Sequence, residues 1–239
     1  ETALAAHVVT QASLEYHLRN PEKITITTAC PSVVFYIQKY YPDLSEYLAP
    51  VLSPMLLHGK MLKNKLGPEW KTVFIGPCSA KKKELELFND LNSIDVVLTI
   101  KELMDWIENR QIDFLSCEGS SFDESFPGIS RLFPLPGGLL QTMKSFYPNP
   151  VKTYSAEGSE QLKEYLEWIR NHKPEGLFEF LFCPGGCVQG AGIPELKNRF
   201  ESHSIIKDFT PNQNPDTNLS QYLSLASCRY NSDPLPSII

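Results

Sequence analysis

The chain has 239 residues, 42% of them hydrophobic, and 28 acidic against 22 basic side chains give a formal charge of −6. That size and apolar content support one large domain or two closely packed lobes, while lysines dispersed among acids leave no basic stripe for nucleic acid. No window approaches the roughly 18 apolar residues of a membrane span, and Glu1 to Asn20 lacks a secretory signal, so a soluble, cytoplasmic protein without membrane or nucleic-acid partners is expected.

In chain order, Leu4, Ala5, Val8, Val9 and Ala12 follow a helical period from the outset, and with Glu1 in place of Met a start inside a longer protein is expected. The run Lys23–Thr28 (KITITT) predicts a strand that leads to Cys30, and Ser32–Tyr41 and Met55–Leu66 predict helices. Thr72–Gly76 (TVFIG) predicts a second strand running into Cys78, with a helix opening after Ser79. A strand at Ile94–Thr99 and helices at Lys101–Asn109, Gly138–Phe146 and Ser159–Asn171 follow, and the strand Leu177–Phe182 (LFEFLF) closes at Cys183. From Ser202 the apolar periodicity weakens, apart from a short helical candidate at Leu219–Ser224, so 202–239 is expected to be a wrapping tail. Strands alternating with helices predict an α/β fold with largely parallel pairing. The alternation is imperfect, which favours a mixed sheet or two small sheets.

Six cysteines are too few for a disulfide scaffold, and four sit beside Pro or Gly in loops, a pattern that points to metal or redox chemistry. Cys30, Cys78 and Cys183 each follow a predicted strand, the edge at which α/β folds bind ligands. Cys183-Pro-Gly-Gly-Cys187 adds a fourth thiol, and its glycines let the backbone approach a bulky anionic group with N–H groups directed at sulfide. Pro31, Pro77 and Pro184 fix φ beside the cysteines. Taken singly, Cys30 or Cys78 reads as a buried structural thiol. Taken together, the four suit tetrahedral zinc or a 4Fe-4S cube, and the isolation of two of them favours the cube.

Lys81, Lys82 and Lys83 occupy a helix first turn, where cations oppose the macrodipole and call for a nearby anion. Lys81 is best placed to turn inward, and at least one of the other two is solvated. Cys117 and Cys228 read as structural, and His7, His17, His58, His172 and His203 as surface or core residues. No nucleophile elbow, P-loop or dinucleotide fingerprint is present.

At these loops the sequence resembles the iron-only (FeFe) hydrogenase large subunit, C-terminal domain. TTACP resembles the family's TSCCP, GPCSAKKKE its MPCTAKKxE, and CPGGCVQGAGIP its CPGGCxxGGGQP. RLFPLPGGLLQTM resembles FGATGGVMEAAL, with Gly137 and Gly138 keeping the paired glycines. The resemblance implies a two-lobed α/β domain over residues 1–239, with mixed or parallel sheets flanked by helices and a cluster between the lobes. It implies that Cys30, Cys78, Cys183 and Cys187 hold a 4Fe-4S cluster and that Cys187 bridges to a two-iron subcluster, completing the H-cluster. Lys81 would contact a cyanide ligand of that subcluster, Glu84 would be the acid after the lysine, and Gly137 and Gly138 would lie at the cofactor.

The departures are informative. The family's proton-relaying cysteine is Ala29, its relay serine aligns with Ala49, and its helix glutamates align with Ser13 and Tyr16, none of which carries a carboxylate or thiol. Gly76 and Met55 replace a methionine and a glutamine near the cofactor, and the family's Ala-Pro segment would lie before Glu1. These spellings resemble the sensory subfamily, whose members join iron-sulfur, PAS or signalling domains. They imply weak hydrogen oxidation or proton reduction used for hydrogen or redox sensing, with H2, protons and an iron-sulfur electron-transfer domain as partners. A non-catalytic protein like the cluster-assembly factors, with the cube and no two-iron site, is the alternative.

Overall fold

The computed structural model describes residues 1–195, 198–210, 213, 215 and 219–228. The parallel α/β expectation holds, in the form of two small sheets. One sheet has the order β1 (Ile24–Ile26), β5 (Gly176–Leu181), β4 (Thr153–Glu157), and the other pairs β2 (Val73–Gly76) with β3 (Val96–Thr99). Every pairing is parallel, so within each sheet the strand C-termini share an edge. In chain order the helices are α1 (Ala3–Leu18), α2 (Pro31–Tyr40), α3 (Pro54–Leu66), α4 (Ala80–Leu87), α5 (Ile100–Asn109), α6 (Gly138–Phe146), α7 (Gly158–His172) and α8 (Arg199–Asp208).

Local chemistry explains most of the boundaries. Pro31 and Pro54 open α2 and α3, where a missing N–H costs nothing. Thr99 opens α5 through a capping box with Glu102. Strand β5 is buried along its whole length. Phe178 and Phe180 face Val33, Ile37, Leu162 and Leu166 of α2 and α7, while Leu177 faces Leu14, Leu139 and Met143 of α1 and α6. Helices on both faces are what a parallel sheet requires.

The smaller sheet is less protected. Phe74 and Val97 turn into a third core with α1 and α3, whereas Val73, Ile75 and Val96 on the opposite face stay exposed.

Two expectations are corrected. Strand β4 alternates as Thr-Tyr-Ser-Ala-Glu, with Tyr154 and Ala156 turned into the core, but two apolar residues are too brief a run to stand out from the flanking loop; it pairs along the side of β5 away from β1. The region after Ser202 is not simply a tail, because α8 spans Arg199–Asp208, opened by the Asn198 side chain accepting the Phe200 N–H. Beyond it, the short helix at Leu219–Ser224 is a 3-10 turn, Ser220–Leu225. Leu52 N–H donates to the Ala226 carbonyl and Cys228 N–H to the Pro50 carbonyl, so this stretch does wrap back onto the domain. Residues 229–239 lie outside those described.

Candidate functional site

The cysteine-bearing loops converge because glycines let backbone pack on backbone. Gly192 donates its N–H to the Pro77 carbonyl at 2.8 Å, and Cys187 donates to the Pro134 carbonyl at 2.8 Å. A Cβ on Gly190 would stand 2.4 Å from the Pro77 oxygen, and one on Gly186 2.5 Å from the Pro134 oxygen. The segment after β5 is thereby held against the loop after β2 on one side and against the 3-10 turn Gly128–Leu132 and its exit on the other. Because Gly186 also has φ +83°, Gly186→Ala should destabilise the chain by about 1–3 kcal/mol and pull Cys187 from its place; thermal unfolding of the metal-free chain measures the first.

All six cysteines are free thiols. Cys30, Cys78 and Cys187 line one cavity of about 420 Å3 together with Lys81. Cys183 is outside that lining, yet its charge acts on Cys187, and that of Cys78 acts on Cys183. Gly137 and Gly138 are not among the lining residues. They form the start of α6, where Gly137 has φ +73° and a Cβ on Gly138 would meet the Leu132 carbonyl at 2.0 Å.

Desolvation pushes the Cys30 thiol up to about 11, against N–H groups of Phe182 and Val33 and the Lys81 charge, which favour the thiolate. Cys187 is pushed up by burial first and then by Cys30, Cys78 and Cys183, with Lys81 opposing. Cys183 is raised by burial and by Cys78, against an N–H from Ala191. One lysine does not balance four thiolates. Metal that neutralises the sulfurs would resolve the conflict and release protons on binding.

Among the described residues no three His, Cys, Asp or Glu side chains converge closely enough for a single metal ion. The donors are all sulfur and collectively anionic, a set that fits an iron-sulfur group. One expectation fails in detail: the loop N–H groups do not point at a cofactor. Gly185 donates to Glu157, Gly186 to the Cys183 carbonyl and Cys187 to Pro134.

Lys81 does turn inward. Its Nζ donates to Glu84 Oε2 at 2.7 Å and reaches the Ala29 carbonyl at 3.5 Å, and both partners of this ion pair are buried. Lys82 and Lys83 stay at the surface, paired with Glu102 and Glu86. The remaining wall is largely apolar, formed by Ala29, Met55, Phe74, Phe133, Ile206 and Phe209 among others. Behind Ala29 the packing continues through Ala49, Ala12 and Tyr16, and Ser13 Oγ, buried on α1, has no hydrogen-bond partner. Ala29, Ala49 and Ala12 supply no titratable group on this side, whereas Glu1, Thr2, Ser130 and Arg131 also line the cavity and connect to Glu124, His58 and His7.

Sequence reasoning missed Glu157, His203 and Arg199, which grip the Cys183–Cys187 loop from outside, and Glu179, which accepts the N–H groups of Leu139 and Leu140 at the start of α6. Glu179 left a signal, as the one acid in an otherwise apolar strand. The other three left none, because Glu157 and His203 bond the backbone of a distant loop and Arg199 the Glu157 carboxylate. Cys117 is exposed and Cys228 half-buried, and neither lines the cavity.

The sequence model of the family described as iron only hydrogenase large subunit, C-terminal domain, matches residues 1–191. Iron hydrogenase 1 of Clostridium pasteurianum is 28% identical over 216 residues, covering 71% of this chain and 38% of its own length. The cytosolic Fe-S cluster assembly factor NAR1 of Vanderwaltozyma polyspora is 35% identical over 88 residues, 37% of this chain and 17% of its own length. The chain thus spans well under half of these two relatives. The solved [FeFe]-hydrogenase HydA(deltaEFG) superposes with a TM-score of 0.68 at 18% identity, covering 98% of this chain and 82% of that one. No helix among the described residues is long and apolar enough to cross a membrane.

Proposed function

Because the chain belongs to the family of the C-terminal domain of the iron-only hydrogenase large subunit, we propose that it is a hydrogenase-type iron-sulfur protein with a 4Fe-4S cluster on Cys30, Cys78, Cys183 and Cys187. The observation that carries this reading is the convergence of the thiols of Cys30, Cys78 and Cys187 with the Lys81 ammonium on a single cavity, with Cys183 close behind Cys187 in the same loop. The cavity beside Cys187 is the place for a two-iron subcluster. When bound, the cube supplies one-electron transfer and the two-iron group hydrogen cleavage and formation. Lys81, oriented by Glu84, presents an ammonium to anionic ligands there, while Ala29, Met55 and Phe133 keep water out.

Turnover in this reading is slow. A positioned proton-transfer group is typically worth about 100-fold to 10,000-fold, and Ala29 supplies none. The role that fits is hydrogen or redox sensing in the cytoplasm, with an iron-sulfur domain as electron partner and a PAS-like signalling domain as readout. Ala29→Cys should raise hydrogen evolution from a chemical reductant, and the double variant Ala29→Cys, Ala49→Ser should raise it further, since the apolar wall continues behind Ala29. Equal rates in wild type and both variants would dismiss the proton-supply account.

A second reading, a cluster-carrying protein without the two-iron group, is favoured by the apolar wall and by the similarity to the assembly factor. Infrared spectra of anaerobically matured protein separate the two. CO and CN stretches are expected in the first reading. Their absence after supply of a synthetic two-iron precursor would establish the second.

A further inference from the structure

The two peptide groups that flank Gly185, midway between Cys183 and Cys187, are both held from outside the cavity. His203 Nε2 lies 2.8 Å from the Gly185 carbonyl oxygen. A carbonyl can only accept, so Nε2 carries the proton. On the other side of the residue, the Gly185 N–H donates to Glu157 Oε2 at 2.9 Å, and Arg199 holds the second oxygen of that carboxylate at 2.8 Å. Gln189, two residues beyond Cys187, donates to Ser202 Oγ at 2.9 Å. Arg199, Ser202 and His203 all belong to α8, which begins eight residues after the segment matched by the family ends.

The loop needs such a hold. Gly185 and Gly186 both have positive φ, +85° and +83°, conformations that glycine enters and leaves freely. The 2.9 Å bond from Gly186 N–H to the Cys183 carbonyl holds one edge of the planar peptide between Gly185 and Gly186. His203 holds the opposite edge of the same peptide by its oxygen, so the unit is secured from both sides.

We infer that His203 is a positioning residue, which through the Gly185 carbonyl sets the placement of Cys187 relative to Cys183 and so governs how tightly the cluster is kept and at what potential it is reduced. This rests on the cluster reading given above. Groups that orient metal ligands typically change metal affinity about 10-fold to 100-fold when removed, and dipoles and hydrogen bonds around cluster sulfurs are a main determinant of potential.

The test uses the whole chain, reconstituted anaerobically with iron and sulfide, as wild type, His203→Ala and His203→Gln. Bleaching by a chelator should be about 10-fold to 100-fold faster in His203→Ala, and the midpoint from an EPR-monitored redox titration should move. The glutamine variant, whose amide N–H reaches the same carbonyl, should restore both. Wild-type bleaching and midpoint in His203→Ala would overturn the inference. Should His203→Ala fail to fold, His203→Asn, polar but too short to reach Gly185, is read in the same way. If the wild-type chain takes up no iron and sulfide, the cluster reading fails, and hydrogen exchange in the metal-free chain still decides on the clamp. Faster exchange at the Gly186 and Cys187 amides in His203→Ala upholds it; unchanged exchange overturns it.

Discussion

Replacing Cys187 by serine should strip most of the iron and sulfide from anaerobically reconstituted chain and make what remains at least about 100-fold easier to remove with a chelator, beyond the usual effect of disturbing a ligand's support. Cys187 is the ligand position of greatest expected effect. It lines the cavity and feels the charge of all three other thiols and of Lys81. A serine hydroxyl does not ionise there, so the site would lose an anionic donor and keep the desolvation that opposed it. Cys183→Ser should act in the same direction. Iron and sulfide analysis beside the visible charge-transfer absorbance is the measurement, and full cluster content in either variant would remove that cysteine from the ligand set.

Glu179 should make stability fall as pH rises from about 4.5 to about 7, against the opposite contribution of His7 and His17, whose imidazoles burial holds below the usual value, and Glu179→Gln should remove that falling component. The Glu179 carboxyl is buried in β5, and desolvation lifts it to about 7, although N–H groups of Leu139 and Leu140 favour its charged form. Burial wins because two long N–H contacts of 3.2 Å repay only part of the lost hydration. With the folded value above the unfolded one, the folded chain binds the extra proton. The contribution is therefore fully present below about 4.5 and gone above about 7, a loss of about 3 kcal/mol at 1.36 kcal/mol for each unit. Denaturant titrations of the metal-free chain at pH 5 and pH 7.5 check it. A glutamine variant with an undiminished pH slope would mean that the titration belongs to another group.

The parts of this architecture written in local sequence were legible. LFEFLF read as a strand because a strand buried on both faces demands nearly continuous apolar residues, KITITT and TVFIG did so through their β-branched and aromatic residues, and the cysteines at their ends followed from strand polarity alone. Strand β4 was scarcely legible, since the alternation of TYSAE offers only Tyr154 and Ala156 to the core, and it is completed by the edge that β5 provides. Helix α8 was hidden for a related reason. None of its residues is fully buried, so it has no strong apolar stripe, and it is fixed instead by polar contacts to Gly185 and Gln189 and by Arg131 stacked 4.2 Å over Phe209. Three of the thiols, Cys30, Cys78 and Cys187, line one cavity, and the placing of the cysteines in loops at strand ends was readable. The commitment of their loop amides to Glu157, Cys183 and Pro134 was not, because each acceptor depends on how loops meet in space.

The bare face of the β2–β3 pair bears on how this chain behaves in a tube. Val73 and Val96, partners across the β2–β3 ladder, are exposed apolar residues on a sheet of only two strands among the described residues, and such a patch is a template for association between molecules. The modest net charge offers limited repulsion against it. Colloidal stability, more than unfolding, then sets the usable concentration of the isolated chain, and polar substitutions at Val73 and Val96, which spare the inward-facing Phe74 and Val97 and the cavity-lining Ile75, are the means to extend it.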